Sequence, residues 1–194
     1  MILVNTTRGE EVKAGYKEYY NNFLVLGCLG LIWLAAAGIG HINYHLSILL
    51  LFLGFTFFQT ILTVVRKKIK LTNLNENNPS RMLSTCVMIG MPIGMIAGFY
   101  PFTSNINMFF PVFTIIFGVI FSVIGFVFRL KSYIILAVIL IAGGAYIGYA
   151  FEEHFRLAGY YAGIIIVSFA LVFRIFATLY RRACAKNPEA CVVE

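Results

Sequence analysis

Six blocks of about 20 apolar residues, almost free of charge, run through this chain at short intervals. A helix of that length crosses the roughly 30 Å of hydrocarbon in a bilayer. No other feature limits the fold as strongly. In lipid the backbone must satisfy its own hydrogen bonds, so uncharged blocks of this length become helices. The blocks predict spans at about 23–40, 46–65, 82–100, 108–128, 132–150 and 159–179. Residues 1–20 then form a cytoplasmic or interfacial leader, 21–180 a six-helix transmembrane domain, and 181–194 a cytoplasmic basic tail. The expected fold class is an all-α, polytopic transmembrane bundle.

Composition agrees. Of 194 residues, 60% are hydrophobic and 12% charged, about half the charge of an average soluble domain. Mean hydropathy is +0.87. The chain has no aspartate, and 19 Phe and 11 Tyr are available to fill helix interfaces and face lipid.

The net charge of +7 does not point to nucleic acid. The charges sit at block ends, as topology signals do, and form no basic stripe among aromatics on a polar scaffold. With six spans, the leader, the 66–81 link, the 129–131 link and the tail share one side. Of the 15 lysines and arginines, all but Arg156 fall there, counting Arg174 as snorkelling toward the tail. The positive-inside rule then puts both termini in the cytoplasm of a cell that holds the chain in its plasma membrane. Ala35-Ala36-Ala37 after the first block resembles a signal-peptidase site. The long, half-acidic region before it argues for a retained helix. Three plus three spans also permit an inverted repeat, although the halves show no sequence echo.

Glycines set the expected packing. Gly90, Gly94 and Gly98 lie four apart in span three, Gly144 and Gly148 in span five, and Gly159 and Gly163 in span six. Such spacing aligns bare backbone on one helix face and lets a second helix approach closely, within the bundle or across a homodimer or a membrane partner subunit. Pro92 should kink span three.

Two polar constellations could carry chemistry. His41, His45, Glu152 and His154, with Glu153, fall on the outer side. Imidazole with carboxylate suits a divalent metal such as zinc, or a proton relay. Equally, short outer links need polar residues of some kind. The second group is Gln59 with Thr56, Thr60 and Thr63 in span two, beside Ser84 and Thr85. It could line an inward-opening substrate cavity or make interhelical hydrogen bonds. Arg174, within span six, could meet a substrate anion or reach the interface. No cofactor is implied beyond that possible metal, and no catalytic residue stands out. Walker, nucleophile-elbow, zincin and dinucleotide motifs are absent from the sequence. The cysteines, Cys28, Cys86, Cys184 and Cys191, lack metal or redox spacing. The terminal Cys191-Val192-Val193-Glu194 is a poor prenylation box.

Asn78-Pro79 before span three, Met91-Pro92 within it and Phe109-Phe110-Pro111 opening span four carry a resemblance. The chain resembles uncharacterised bacterial six-span membrane proteins of the domain-of-unknown-function kind. The resemblance implies an integral bacterial membrane protein and transfers no site residues.

Three functions fit. A small transporter or channel component predicts a polar cavity near Gln59 and Pro92. An assembly or sensor partner predicts a dry bundle with an exposed glycine face. A membrane-embedded metal enzyme predicts His41, His45 and His154 within about 5 Å, since zinc binds imidazole near 2 Å.

Overall fold

A computed structural model describes the backbone over 8–68, 105–151 and 153–186, with side chains described from residue 19 through 182 except at 59, 69–104, 152 and 180. These residues form six α-helices: α1 (Arg8–Ile39), α2 (Tyr44–Thr56), α3 (Phe58–Lys68), α4 (Phe109–Val127), α5 (Lys131–Ala150) and α6 (Leu157–Lys186). A short 3-10 turn, Ile106–Met108, leads into α4. No strand occurs among the described residues.

Four segments are long and apolar enough to cross a bilayer: Tyr19–Ile39, Ile106–Val127, Lys131–Ala150 and Leu157–Leu179. The second expected span differs from a plain helix over 46–65. It begins at Tyr44 and breaks at Phe57, with Tyr44–Thr56 and Thr60–Lys68 inclined by 56°. Counted as one broken span, it brings the crossings to five among the described residues. The hydroxyl of Thr56 donates to the Phe52 carbonyl at 2.9 Å, a back-bond that loosens the helix ladder and favours a bend. The third expected span, with Gly90, Gly94, Gly98 and Pro92, lies outside the described residues.

Two antiparallel pairs make the framework. In the first, α1 packs along α6. A Cβ on Gly30 would stand 3.0 Å from the Val167 nitrogen and 3.1 Å from the Gly163 carbonyl, and one on Gly163 would stand 2.7 Å from Leu34. Gly159 meets Phe110 and Ala37 at 2.9 and 3.0 Å in the same sense. In the second pair, Gly118 and Gly125 of α4 press on the α5 backbone at Ala137, Ile141 and Ile134, while Gly144 and Gly148 of α5 press on Pro111. Dispersion between closely apposed backbones is the main attraction available to helices in lipid. The α2–α3 arm packs on α1, where Ser47 donates to the Ala36 carbonyl at 2.5 Å.

The α4–α5 turn is a Schellman closure. Leu130 N donates to the Gly125 carbonyl at 2.9 Å and Arg129 N to Phe126 at 3.3 Å. Arg129 itself sits at φ 55°, the left-handed position usually given to glycine.

The pairs meet in an aromatic core. Trp33, at 0% exposure, contacts Phe55, Phe110 and Phe117, with ring centroids 6.3, 5.7 and 5.4 Å away. Trp33 shares a helical face with Leu26, Leu29, Ala36 and Ala37, all buried, and that face turns inward. Phe58, Phe113 and Phe121 extend the filled core. Large apolar side chains such as Leu49, Phe126, Val138, Ile164 and Phe176 point outward, as suits contact with a bilayer.

Candidate functional site

At the end of α1 the helix closes through Asn43 N to the Ile39 carbonyl at 3.1 Å. Asn43 then caps α2, its side chain accepting from His45 N at 2.8 Å and Leu46 N at 3.2 Å. An extended N-cap with an amide oxygen on the first free N–H groups is a strong helix start. This short turn fixes where each outer histidine goes. His41 stays in the turn, and His45 enters the first turn of α2 with its ring 4.4 Å from that of Tyr44.

The α1–α2 turn, the 3-10 turn before α4 and the α5–α6 link come together at this end and enclose a cleft of about 440 Å³. Arg156, Glu153, His41 and His154 supply its charged and titratable groups, and Tyr44 and Tyr160 are among its aromatic walls. Arg156 donates from its guanidinium to Nδ1 of His41, and the Tyr160 ring lies 6.1 Å from the His41 ring. Beneath them Phe155 is buried, 5.0 Å from the Phe110 ring. The cleft therefore has a wet rim and a sealed aromatic floor. A second hollow of about 330 Å³ shares Glu153 and His154 and adds Tyr149 and Phe151.

The expected metal cluster is only partly assembled. His41 and His154 line one cleft, and His45 is not among its lining residues. Glu152 lies outside the described residues. Among the described residues no three His, Cys, Asp or Glu stand close enough to hold an ion. Moreover, Nδ1 of His41 faces the Arg156 guanidinium.

The span-two polar group does not converge on a cavity among the described side chains. Thr56, Thr60 and Thr63 are exposed on the outer surface of the α2–α3 arm, and the Thr56 hydroxyl is spent on its own helix. The side chain of Gln59 lies outside the described residues. Arg174 is exposed and lies over two rings of α1, its guanidinium carbon 4.7 Å from the Tyr20 centroid and 5.3 Å from that of Phe23. That stacking is cation–π packing between α1 and α6.

Sequence reasoning passed over Arg156 as a site residue, although its isolation as the one Lys or Arg expected on the outer side was a usable signal. Asn21 and Arg66, 45 positions apart, gave no signal. They meet where the base of α1 touches α3, Arg66 Nε donating to Asn21 Oδ1 at 2.8 Å.

Apolar helices of spanning length around a filled core define an integral, multi-pass, all-helical membrane protein. More narrowly, the chain belongs to a family of unknown function, DUF7010, whose model matches residues 11–179. No curated protein and no solved structure matches it.

Proposed function

We propose that this chain is a non-conducting receptor-type membrane protein that binds a small ligand in the cleft at the outer ends of α1, α5 and α6. The observation that carries the reading is that Arg156 and Glu153 both line one cleft walled by Tyr44 and Tyr160. A cation and a carboxylate above an aromatic floor suit a small zwitterion with an apolar body, such as an amino acid. Charged groups orient the ligand and the apolar wall supplies the contact area.

Six spans with both termini in the cytoplasm belong to the same proposal. The first described stretch leaves the bundle at Lys68, close to Arg66, which bonds Asn21 at the base of α1. The next stretch enters beside Gly40, at the other end of α1, where Ile106 and Asn107 line the outer cleft. Six spans need one further crossing between these two ends. The basic residues gathered at the Asn21 end then mark the cytoplasmic side.

A small transporter is the second reading, favoured by the broken second span, since discontinuous helices often build transport sites. Against a path through the protein stand Trp33, Phe110 and Phe117, fully packed below the cleft. Glycine-mediated assembly has less support. Gly30, Gly118, Gly125, Gly144, Gly148, Gly159 and Gly163 are buried against partners inside the chain. The metal-enzyme reading has less support, because no three His, Cys, Asp or Glu among the described residues stand close enough to hold an ion.

Binding of the twenty amino acids to purified protein, followed by thermal shift, tests the proposal. One or more should stabilise the wild type and fail to stabilise Arg156→Gln. Uptake into proteoliposomes should stay at the level of empty vesicles. Equal stabilisation of wild type and variant, or concentrative uptake, sinks it.

A further inference from the structure

We infer that Asn21 and Arg66 form a binding site for a phosphate group at the basic end of the bundle. Asn21 is fully buried near the base of α1, and Arg66 is half-buried near the end of α3. One hydrogen bond joins them, Nε of Arg66 to Oδ1 of Asn21 at 2.8 Å. It leaves two donors behind. Nη2 of Arg66 and Nδ2 of Asn21 are both buried and have no hydrogen-bond partner among the described residues.

These orphans are of one kind. Both are N–H donors, and the guanidinium beside them carries a full positive charge. Nε and Nη2 form the guanidinium edge that grips two oxygens of an oxyanion side by side. Asn21 occupies one of those places and leaves the other open. Buried donors without acceptors are rare in native structures, and each calls for an explanation. An oxygen bearing negative charge, set between Nη2 and Nδ2, satisfies both donors and neutralises the cation.

Little in the described chain can supply that oxygen. The one carboxylate side chain among those described, Glu153, lies in the outer cleft at the other end of α1. At the Asn21 end the charged side chains among those described are cationic. Lys67 and Lys68 follow Arg66, and Arg174 lies over Tyr20, one residue before Asn21. A field of that sign draws phosphate. The site also lies where the apolar part of α1 gives way to its charged start, the depth of lipid headgroups. The ligand chemistry is thus a phosphate oxyanion, from a phospholipid headgroup or from solution.

The test uses full-length protein stripped of lipid in a non-ionic maltoside detergent. Its thermal midpoint is followed with inorganic phosphate, with phosphatidylglycerol, and with diacylglycerol as a lipid lacking phosphate. Native mass spectrometry counts retained phospholipid. The wild type should gain on the order of 5 °C with a phosphate-bearing probe at saturation and nothing with diacylglycerol. A response to phosphatidylglycerol alone identifies a headgroup, and a response to inorganic phosphate as well identifies a free anion site. Arg66→Gln should lose the gain. Arg66→Lys, which keeps the charge without the fork, should retain only part of it. Asn21→Asp places a carboxylate against the guanidinium. It should raise the midpoint without any ligand and remove the response to phosphate, so the proposal stays testable if Arg66→Gln does not fold. No gain with either phosphate-bearing probe, or the same gain in wild type, Arg66→Gln and Asn21→Asp, overturns it.

Discussion

Gly30 of α1 and Gly163 of α6 face each other so closely that a Cβ on Gly30 would stand 3.1 Å from the Gly163 carbonyl oxygen. The same atom would lie 2.6 Å from Cγ2 and 3.0 Å from the backbone nitrogen of Val167. A methyl group there meets main chain, which cannot rotate aside. Gly30→Ala should therefore cost about 1–3 kcal/mol, the usual range for overpacking a tight interior. Gly27→Ala, one turn away, is the control. Its Cβ meets only Ala170 at 4.0 Å, so the variant should match or exceed wild type, as alanine is the better helix former. Thermal unfolding of the two in one detergent checks the pair.

Arg129 should be a site where glycine stabilises. It holds φ 55° at the close of α4, a conformation that costs an L-residue about 1 kcal/mol or more and glycine almost nothing. Arg129→Gly should raise stability by about that amount in unfolding experiments. Under the proposed topology, its charge marks the side of the α4–α5 turn for insertion. Lys131 remains to carry that signal, so a topology reporter on the tail should not change sides.

Trp33 is the only tryptophan in the chain, so its fluorescence reports on the core alone. Its burial among Phe55, Phe110 and Phe117 predicts a blue-shifted emission that aqueous acrylamide barely quenches. Trp33→Ala should cost about 3–5 kcal/mol. Trp33→Phe should cost less, because it also removes an indole N–H that is buried without a hydrogen-bond partner among the described residues.

Arg174 separates packing from substrate binding. If its role is the stack on Tyr20 and Phe23, Arg174→Ala should lose about 0.5–1 kcal/mol. Ligand stabilisation through the outer cleft should be unchanged. A selective loss of ligand response with stability intact would contradict this assignment.

Sidedness is open to direct labelling. A cysteine at exposed Tyr149, beside the outer cleft, should react with an impermeant maleimide on intact cells. Cys191 should react only after permeabilisation.

Much of this architecture could be read from the residues, and the reason is simple. Hydrocarbon thickness fixes the length of an apolar block, so the helices at Tyr19–Ile39, Lys131–Ala150 and Leu157–Leu179 were visible as compositional runs. The contacts between helices were less visible. Glycines four apart draw the eye, as with Gly144 and Gly148. Gly118 and Gly125 stand seven apart, and Gly30 gains meaning only from Val167 and Gly163 on another helix. Spacing tells which residues share a face and is silent on which faces meet. The outer histidines show the same limit. His41 and His45 are near in sequence, yet the Asn43 cap sends His45 into α2 beside Tyr44. Arg156, distant in the chain, reaches His41 instead.

The break at Phe57 bears on how this region sits in lipid. Laid end to end, Tyr44 to Lys68 would measure about 37 Å at 1.5 Å per residue, longer than the roughly 30 Å of hydrocarbon it must match. Inclining the second piece by 56° shortens its reach along the membrane normal, which brings the two pieces together close to the hydrocarbon thickness. Phe58 and Leu62 are pressed inward, while Lys67 and Lys68 trail into water. Bilayer thickness thus becomes a mechanical load on this one joint. A thinner membrane should flatten the inclined piece further, and a thicker one should draw it upright.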